Sequence, residues 1–101
     1  MKLVLVCYSG SSASILRDRM LAWARANLLD VEIIVSSLAG LDEDKEDADI
    51  VLVGPQVRCA LASVRERVPE RIPVMAVDTR DYGMAKGDRV MQAALDEIRQ
   101  Y

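Results

Sequence analysis

Four short apolar runs constrain this chain most: Leu3 to Val6, Val31 to Val35, Asp49 to Val53 and Pro73 to Val77. The first and third are apolar almost throughout. A strand with one wet face alternates apolar and polar residues, whereas a strand buried on both faces does not. These runs therefore read as strands of a parallel sheet. Between them lie stretches with helical spacing. From about Ser12 the stripe is Leu16, Met20, Trp23 or Ala24, and Leu28. Pro55 suits the first position of a second helix, whose stripe is Val57, Leu61, Val64 and Val68 and which Pro69 ends. A last helix runs from about Met84 to the C-terminus, with Val90, Met91, Ala94, Leu95 and Ile98 facing inward. Leu38 to Asp47 is polar and acidic with room for one helical turn, and Asp78 to Gly83 reads as a loop.

Alternating strands and helices imply a parallel sheet with right-handed crossovers. The expected fold is α/β in three layers: four parallel strands in the order 2-1-3-4, with helices on both faces. At 101 residues, 51% of them hydrophobic, the chain suits one domain spanning residues 1–101 with a core that needs no disulfide or metal. In such a sheet ligands bind beyond the carboxyl ends of the strands, where the winding reverses. Here that point lies between strands 1 and 3, so the segment Cys7 to Ser14 should lie beside Gly54 to Arg58.

Cys7 stands directly after the first strand and just before a helix. The helix start offers unpaired N–H groups and partial positive charge, and a Gly/Ser loop adds an anion-binding concavity. The same field is expected to lower the pKa of the thiol. Cys7 is thus the candidate nucleophile for a phosphoryl group. The loop Tyr8, Ser9, Gly10, Ser11, Ser12, Ala13 and Ser14 is the candidate phosphate cradle, with backbone N–H groups as the main donors and the serine hydroxyls as extra ones.

Several classes are excluded or disfavoured. There is no histidine, which removes Ser-His and Cys-His catalysis and a phosphohistidine on this chain. Two cysteines make neither a disulfide framework nor a metal site, and no metal or cofactor is expected. A net charge of −3 argues against nucleic acid as a partner. No run approaches the roughly 18 apolar residues of a membrane span, and the N-terminal apolar run is too short for a signal peptide. The expectation is a soluble, cytoplasmic protein without membrane insertion.

Low-molecular-weight tyrosine phosphatases use a similar loop, C-x5-R, whose arginine clamps the phosphoryl group. Here that position is Ala13. A thiol without the clamp is better suited to carry phosphate than to hydrolyse its ester. Two alternatives stay open on the residues alone: a phosphatase-like or arsenate-reductase-like enzyme, and a non-catalytic regulatory or redox module, for instance through a Cys7–Cys59 pair.

The chain also resembles a family over nearly its whole length. The marks are Leu5-Val6-Cys7, the loop Gly10-x-Ser12-x-Ser14, the string Val51-Leu52-Val53-Gly54-Pro55-Gln56-Val57-Arg58, and Asp81-Tyr82-Gly83-Met84. Together they resemble the enzyme IIB component of the lactose/cellobiose (chitobiose, β-glucoside) branch of the bacterial phosphoenolpyruvate-dependent sugar phosphotransferase system. The resemblance implies a sheet like that of the low-molecular-weight phosphatases and of flavodoxin-like proteins. It implies that a phosphohistidine on enzyme IIA donates to Cys7. The phosphocysteine then passes the group to a cellobiose-, chitobiose- or lactose-like sugar held in the membrane permease, enzyme IIC. The family loop commonly reads Cys-Ser-Ala-Gly-Met-Ser-Thr-Ser; here Tyr8 replaces the first serine, Ser11 the methionine and Ala13 the threonine.

Secondary candidates follow strands 3 and 4. Gln56 and Arg58 stand at the switch point, and Arg58 could meet phosphate or an acidic partner. Asp78, Asp81 and Tyr82 face the same end of the sheet, with turn and cap roles expected for them. Cys59 and Trp23 are expected in the core, and Asp42 to Asp49 in a solvated loop. Arg17, Arg19, Arg65, Arg67 and Arg71 could frame a docking face.

Overall fold

The computed structural model describes residues 1–8 and 10–101, and for residues 10–12 the backbone alone. Its sheet holds the strands β1 (Lys2–Val6), β2 (Glu32–Ser36), β3 (Ile50–Val53) and β4 (Val74–Ala76), all parallel, in the order β2-β1-β3-β4. The expected topology is the observed one. In the register, Leu5 lies between Val35 and Leu52, and Val6 between Ser36 and Val53.

Because side chains alternate across a strand, the apolar run Leu3 to Val6 of β1 and the whole of β3 feed two separate cores. Leu3, Leu5, Ile50 and Leu52 face one layer. There they meet Leu16, Met20 and Ala24 of α1 (Gly10–Ala26) and Val90, Met91 and Ala94 of the final helix. Val4, Val6, Val51 and Val53 face the other layer. They pack on Leu41 of α2 (Leu41–Asp44), on Val57, and on Val64 of α3 (Leu61–Arg67). The strand residues of both sets are fully buried or nearly so. At roughly 25 cal/mol per Å² of apolar surface, this two-sided burial is the main stabilising contribution. It is also why neither β3 nor β1 from Leu3 onward shows a polar alternate.

Four local expectations change. Leu28 was placed on the stripe of α1, yet it is 94% exposed. The helix ends two residues earlier, at Ala26: Leu28 adopts φ 57°, its N–H reaches the Arg25 carbonyl, and the Leu29 N–H reaches back to that of Ala24. This paired closure turns Leu28 outward, and Leu29 packs on the core in its place. The second helix does not run unbroken from Pro55. A 3-10 turn, Pro55–Ala60, precedes α3, with non-helical angles at Val57. The segment read as a loop, Asp78 to Gly83, contains a short helix, α4 (Thr79–Gly83), nucleated by the Asp78 cap. It ends by the same device as α1, with Ala85 at φ 51° and the Lys86 N–H on the Asp81 carbonyl. The final helix, α5 (Gly87–Gln100), therefore starts at Gly87 and not at Met84.

The acidic run after β2 is tied down as well as solvated. Asp42 pairs with Lys45 and Arg67, both at 3.3 Å. The hydrogen bond from Arg67 is the first of the causes holding the Asp42 carboxyl below its usual range. Arg67 also donates to the Leu38 carbonyl at 2.7 Å, and Asp49 accepts from the Lys2 N–H at 2.8 Å.

Gly87 lets α5 cross α1 closely. A Cβ there would lie 2.5 Å from the Arg19 carbonyl carbon and 2.6 Å from the Met20 nitrogen, both of them backbone atoms. Gly87→Ala should therefore lower stability by about 2–3 kcal/mol through overpacking, roughly 10–20 °C in Tm for a domain of this size. Thermal unfolding followed by circular dichroism measures it; an unchanged midpoint would contradict this close crossing.

Candidate functional site

Three backbone hydrogen bonds step across the carboxyl ends of the strands. The Cys7 N–H donates to the Ser36 carbonyl, the Gly54 N–H to that of Val6, and the Val77 N–H to that of Val53, each at 2.9 Å. Each residue that leaves a strand is thereby pinned to its neighbour. Cys7, Gly54 and Val77 mark one edge of the molecule, and the loops after β1, β3 and β4 all begin there. The switch point expected between strands 1 and 3 is present.

Cys7 is 3% exposed and belongs to the core beneath α1, together with Ala13, Leu16 and Tyr82. Helix α1 starts at Gly10, three positions later, and has no acidic residue in its first turn. Its leading N–H groups have no carbonyl within the helix to bind. Ser9 lies outside the described residues, and so do the hydroxyls of Ser11 and Ser12. Tyr8 is 67% exposed and Ser14 half-buried.

Two features differ from the sequence reading. Burial pushes the Cys7 thiol up from its ordinary value, where the helix field was expected to lower it. At neutral pH the thiol is accordingly held in its neutral form. Cys59, expected in the core, is exposed on the 3-10 turn. That turn is tighter than the α-helix assumed for it, so Val57 goes inward and Cys59 does not. With one cysteine buried and the other exposed, the two sit in opposite surroundings. Ala13 is fully buried, so the position that carries a clamping arginine in the phosphatase loop here points into the core.

The second loop closes over the first. At Gly54 a Cβ would lie 3.2 Å from the Val6 carbonyl oxygen, 3.0 Å from Gln56 Oε1 and 3.4 Å from Tyr82 Cε2. A single point at the end of β3 is therefore approached by the backbone of β1, the Gln56 side chain and the Tyr82 ring. The absence of a side chain at Gly54 lets them converge. Gln56 and Tyr82 are thus brought to the switch point. Arg58 is exposed on the 3-10 turn.

Asp78 Oδ1 accepts from the Arg80 and Asp81 N–H groups at 2.9 and 3.0 Å. This is the N-cap of α4, the structural role expected of it. Asp81 pairs with Arg89 at 3.1 Å. Tyr82 is 6% exposed, and among the described residues its hydroxyl has no hydrogen-bond partner. The arginines proposed as a docking face divide between the layers. Arg19 donates to the Met84 and Ala85 carbonyls beside α4, whereas Arg67 serves the α2 side. Sequence reasoning missed a groove of about 380 Å³ lined by Asp78, Arg80, Asp81, Met84, Lys86 and Arg89. Its sequence trace is the basic spacing Arg80, Lys86, Arg89, hidden while the segment was read as a loop.

Among the described residues no cluster of histidine, cysteine or carboxylate side chains could hold a metal ion, and no helix is long and apolar enough to cross a membrane.

Residues 2–93 match the family model of the lactose/cellobiose-specific IIB subunit of the phosphotransferase system. A galactose-specific EIIB component from Lactococcus lactis subsp. cremoris is 33% identical over 98 residues, covering 91% of each chain. A cellobiose-specific EIIB component from Lactococcus lactis subsp. lactis shows the same identity and coverage. Among solved structures, the cellobiose-specific IIB component from Borrelia burgdorferi superposes with a TM-score of 0.82 at 30% identity, over 99% of this chain and 93% of that one.

The two cysteines should differ sharply in reactivity. With iodoacetamide, exposed Cys59 should be alkylated first, and Cys7 about tenfold or more slowly at pH 7. A raised thiol pKa means that the thiolate fraction, and with it the rate, keeps climbing as pH rises past the ordinary thiol value. Peptide mapping across pH 6–10 reads both rates. A Cys7 rate already level below pH 7 would contradict the buried, neutral thiol.

Proposed function

The chain belongs to the lactose/cellobiose-specific IIB family of the phosphotransferase system, and from that premise we propose that Cys7 carries the phosphoryl group as phosphocysteine. The observation that supports this best is the placement of Cys7 at the carboxyl end of β1, three residues before the start of a 17-residue helix. The other cysteine, Cys59, is exposed on the 3-10 turn.

The donor is the phosphohistidine of an enzyme IIA protein. In the transfer the Cys7 sulfur attacks phosphorus, the P–N bond breaks as the S–P bond forms, and the thiol proton goes to the departing imidazole. A neutral thiol therefore needs no base of its own, which suits a chain with no histidine and a thiol held protonated by burial. The amides of Tyr8 to Ser14 take the phosphoryl oxygens. Charge spreads over those oxygens in the transition state, so preset N–H donors give the largest share of the catalysis. No metal or organic cofactor enters this step.

The second step gives the group to a cellobiose-, chitobiose- or lactose-like sugar held in the membrane permease, enzyme IIC, on its cytoplasmic side. Sugar-selecting contacts belong to the permease, in keeping with relatives of equal similarity named for different sugars. Arg80 and Lys86 of the groove beside α4 lie at the same end of the sheet as Cys7 and offer cations to a docking protein. The phosphatase-like reading loses support from Ala13, buried where a clamp would have to reach out.

Intact-mass measurement tests the proposal. Incubation with phosphoenolpyruvate, enzyme I, HPr and a matching enzyme IIA should add the mass of one phosphoryl group, and Cys7→Ala should add none. Equal loading of Cys7→Ala, or loading on another residue, would contradict it.

A further inference from the structure

We propose that the Tyr82 hydroxyl is a hydrogen-bond donor held in reserve for the phosphoryl group on Cys7, so that its partner arrives only when the protein is loaded. This rests on the reading of Cys7 above and adds a side chain to a cradle otherwise made of backbone.

The phenol is an anomaly in the resting protein. Tyr82 is 6% exposed, and its hydroxyl is buried with no hydrogen-bond partner among the described residues. A buried polar group left unpaired costs free energy, and native proteins leave few of them. Phenylalanine would fill the same space without that cost. The position of the ring places its polar edge near the ends of two strands. Its Cε2 atom, next to the carbon that bears the oxygen, lies 3.4 Å from the point where a Gly54 Cβ would stand. The carbonyl oxygen of Val6 lies 3.2 Å from that point. The polar edge of the ring is thus set against the ends of β1 and β3, one residue before Cys7, and Cys7 and Tyr82 share one core.

The ring is also firmly held. Asp78 caps α4 with two N–H groups, the Tyr82 N–H donates to the Asp78 carbonyl at 2.9 Å, and Asp81 is locked to Arg89. A donor fixed in advance needs no reordering when negative charge appears nearby, the condition under which a hydrogen bond contributes most to phosphoryl transfer. The pairing selects the loaded state. A phosphoryl oxygen is a strong acceptor for such a donor.

The test compares wild type with Tyr82→Phe, each loaded through a matching enzyme IIA and freed of the donor. Phosphocysteine in Tyr82→Phe should hydrolyse several-fold faster, and the occupancy reached at equilibrium with the donor should fall by a similar factor. The unloaded variant should melt at the wild-type temperature or above it, since it loses an unpaired hydroxyl. Equal half-life and occupancy in the two proteins would overturn the inference while leaving Cys7 as carrier. A clearly lowered melting temperature of the unloaded variant would overturn it too, because the hydroxyl would then have a structural partner. A wild-type chain that gains no phosphoryl group at all would overturn the reading of Cys7 and this inference with it.

Discussion

The stepped backbone hydrogen bonds at the carboxyl ends of the strands set the position of every candidate group in the site. Ser36 holds Cys7, Val6 holds Gly54, and Val53 holds Val77. Each bond is the last rung of a ladder that includes one of the two central strands, β1 and β3, buried from Leu3 and Ile50 onward, so none can shift without moving the core beneath it. The thiol, the glycine gap and the start of the α4 cap are therefore fixed relative to one another by the sheet. The loops add chemistry to positions already determined by the strands. Interior packing also explains why one cysteine can be both a core residue and a reactive group: its backbone belongs to the sheet, and its neighbours in sequence begin the helix.

Burial has two opposing effects at Cys7. It removes water, which strengthens the hydrogen bonds that oriented amides make to an anion. It also disfavours the thiolate, so the resting thiol stays neutral. A relay between two proteins benefits from both. In the proposed relay the neutral thiol is protected from stray electrophiles until a donor brings phosphorus, and with it a nitrogen able to take the proton, and the phosphorylated form then sits among dipoles that do not have to reorient. Tyr82 fits the same logic, as a donor whose acceptor comes with the phosphoryl group.

Much of the fold was legible because two-sided burial leaves a plain trace. Leu3 to Val6 and Ile50 to Val53 contain no polar residue, and from that the parallel sheet, its order and its switch point followed. Elements closed by backbone geometry were harder to read. Leu28 looked like part of an apolar stripe, because nothing in a leucine announces a left-handed residue at a helix end. Asp78 looked like a turn residue, since a cap is recognisable only when the helix after it is, and α4 has five residues. Cys59 was misplaced because a 3-10 turn rotates side chains differently from an α-helix. At the candidate site, the place of Cys7 after β1 and before a long helix was legible from residue type and spacing. The direction of the thiol shift was not, because it depends on how deeply Cys7 is buried, and that is a property of the packed layers. The missing partner of the Tyr82 hydroxyl could be seen only in three dimensions.

The central claim is that amides at the start of α1 hold a phosphoryl group on Cys7. Backbone amide NMR of the chain before and after loading tests it most directly. The account predicts large downfield proton shifts for several amides between residues 8 and 14, reversed when the phosphoryl group leaves, with amides of α2 and α3 nearly still. Shifts centred on any other part of the fold, or none in residues 8–14 on a chain shown by mass to be loaded, would contradict it.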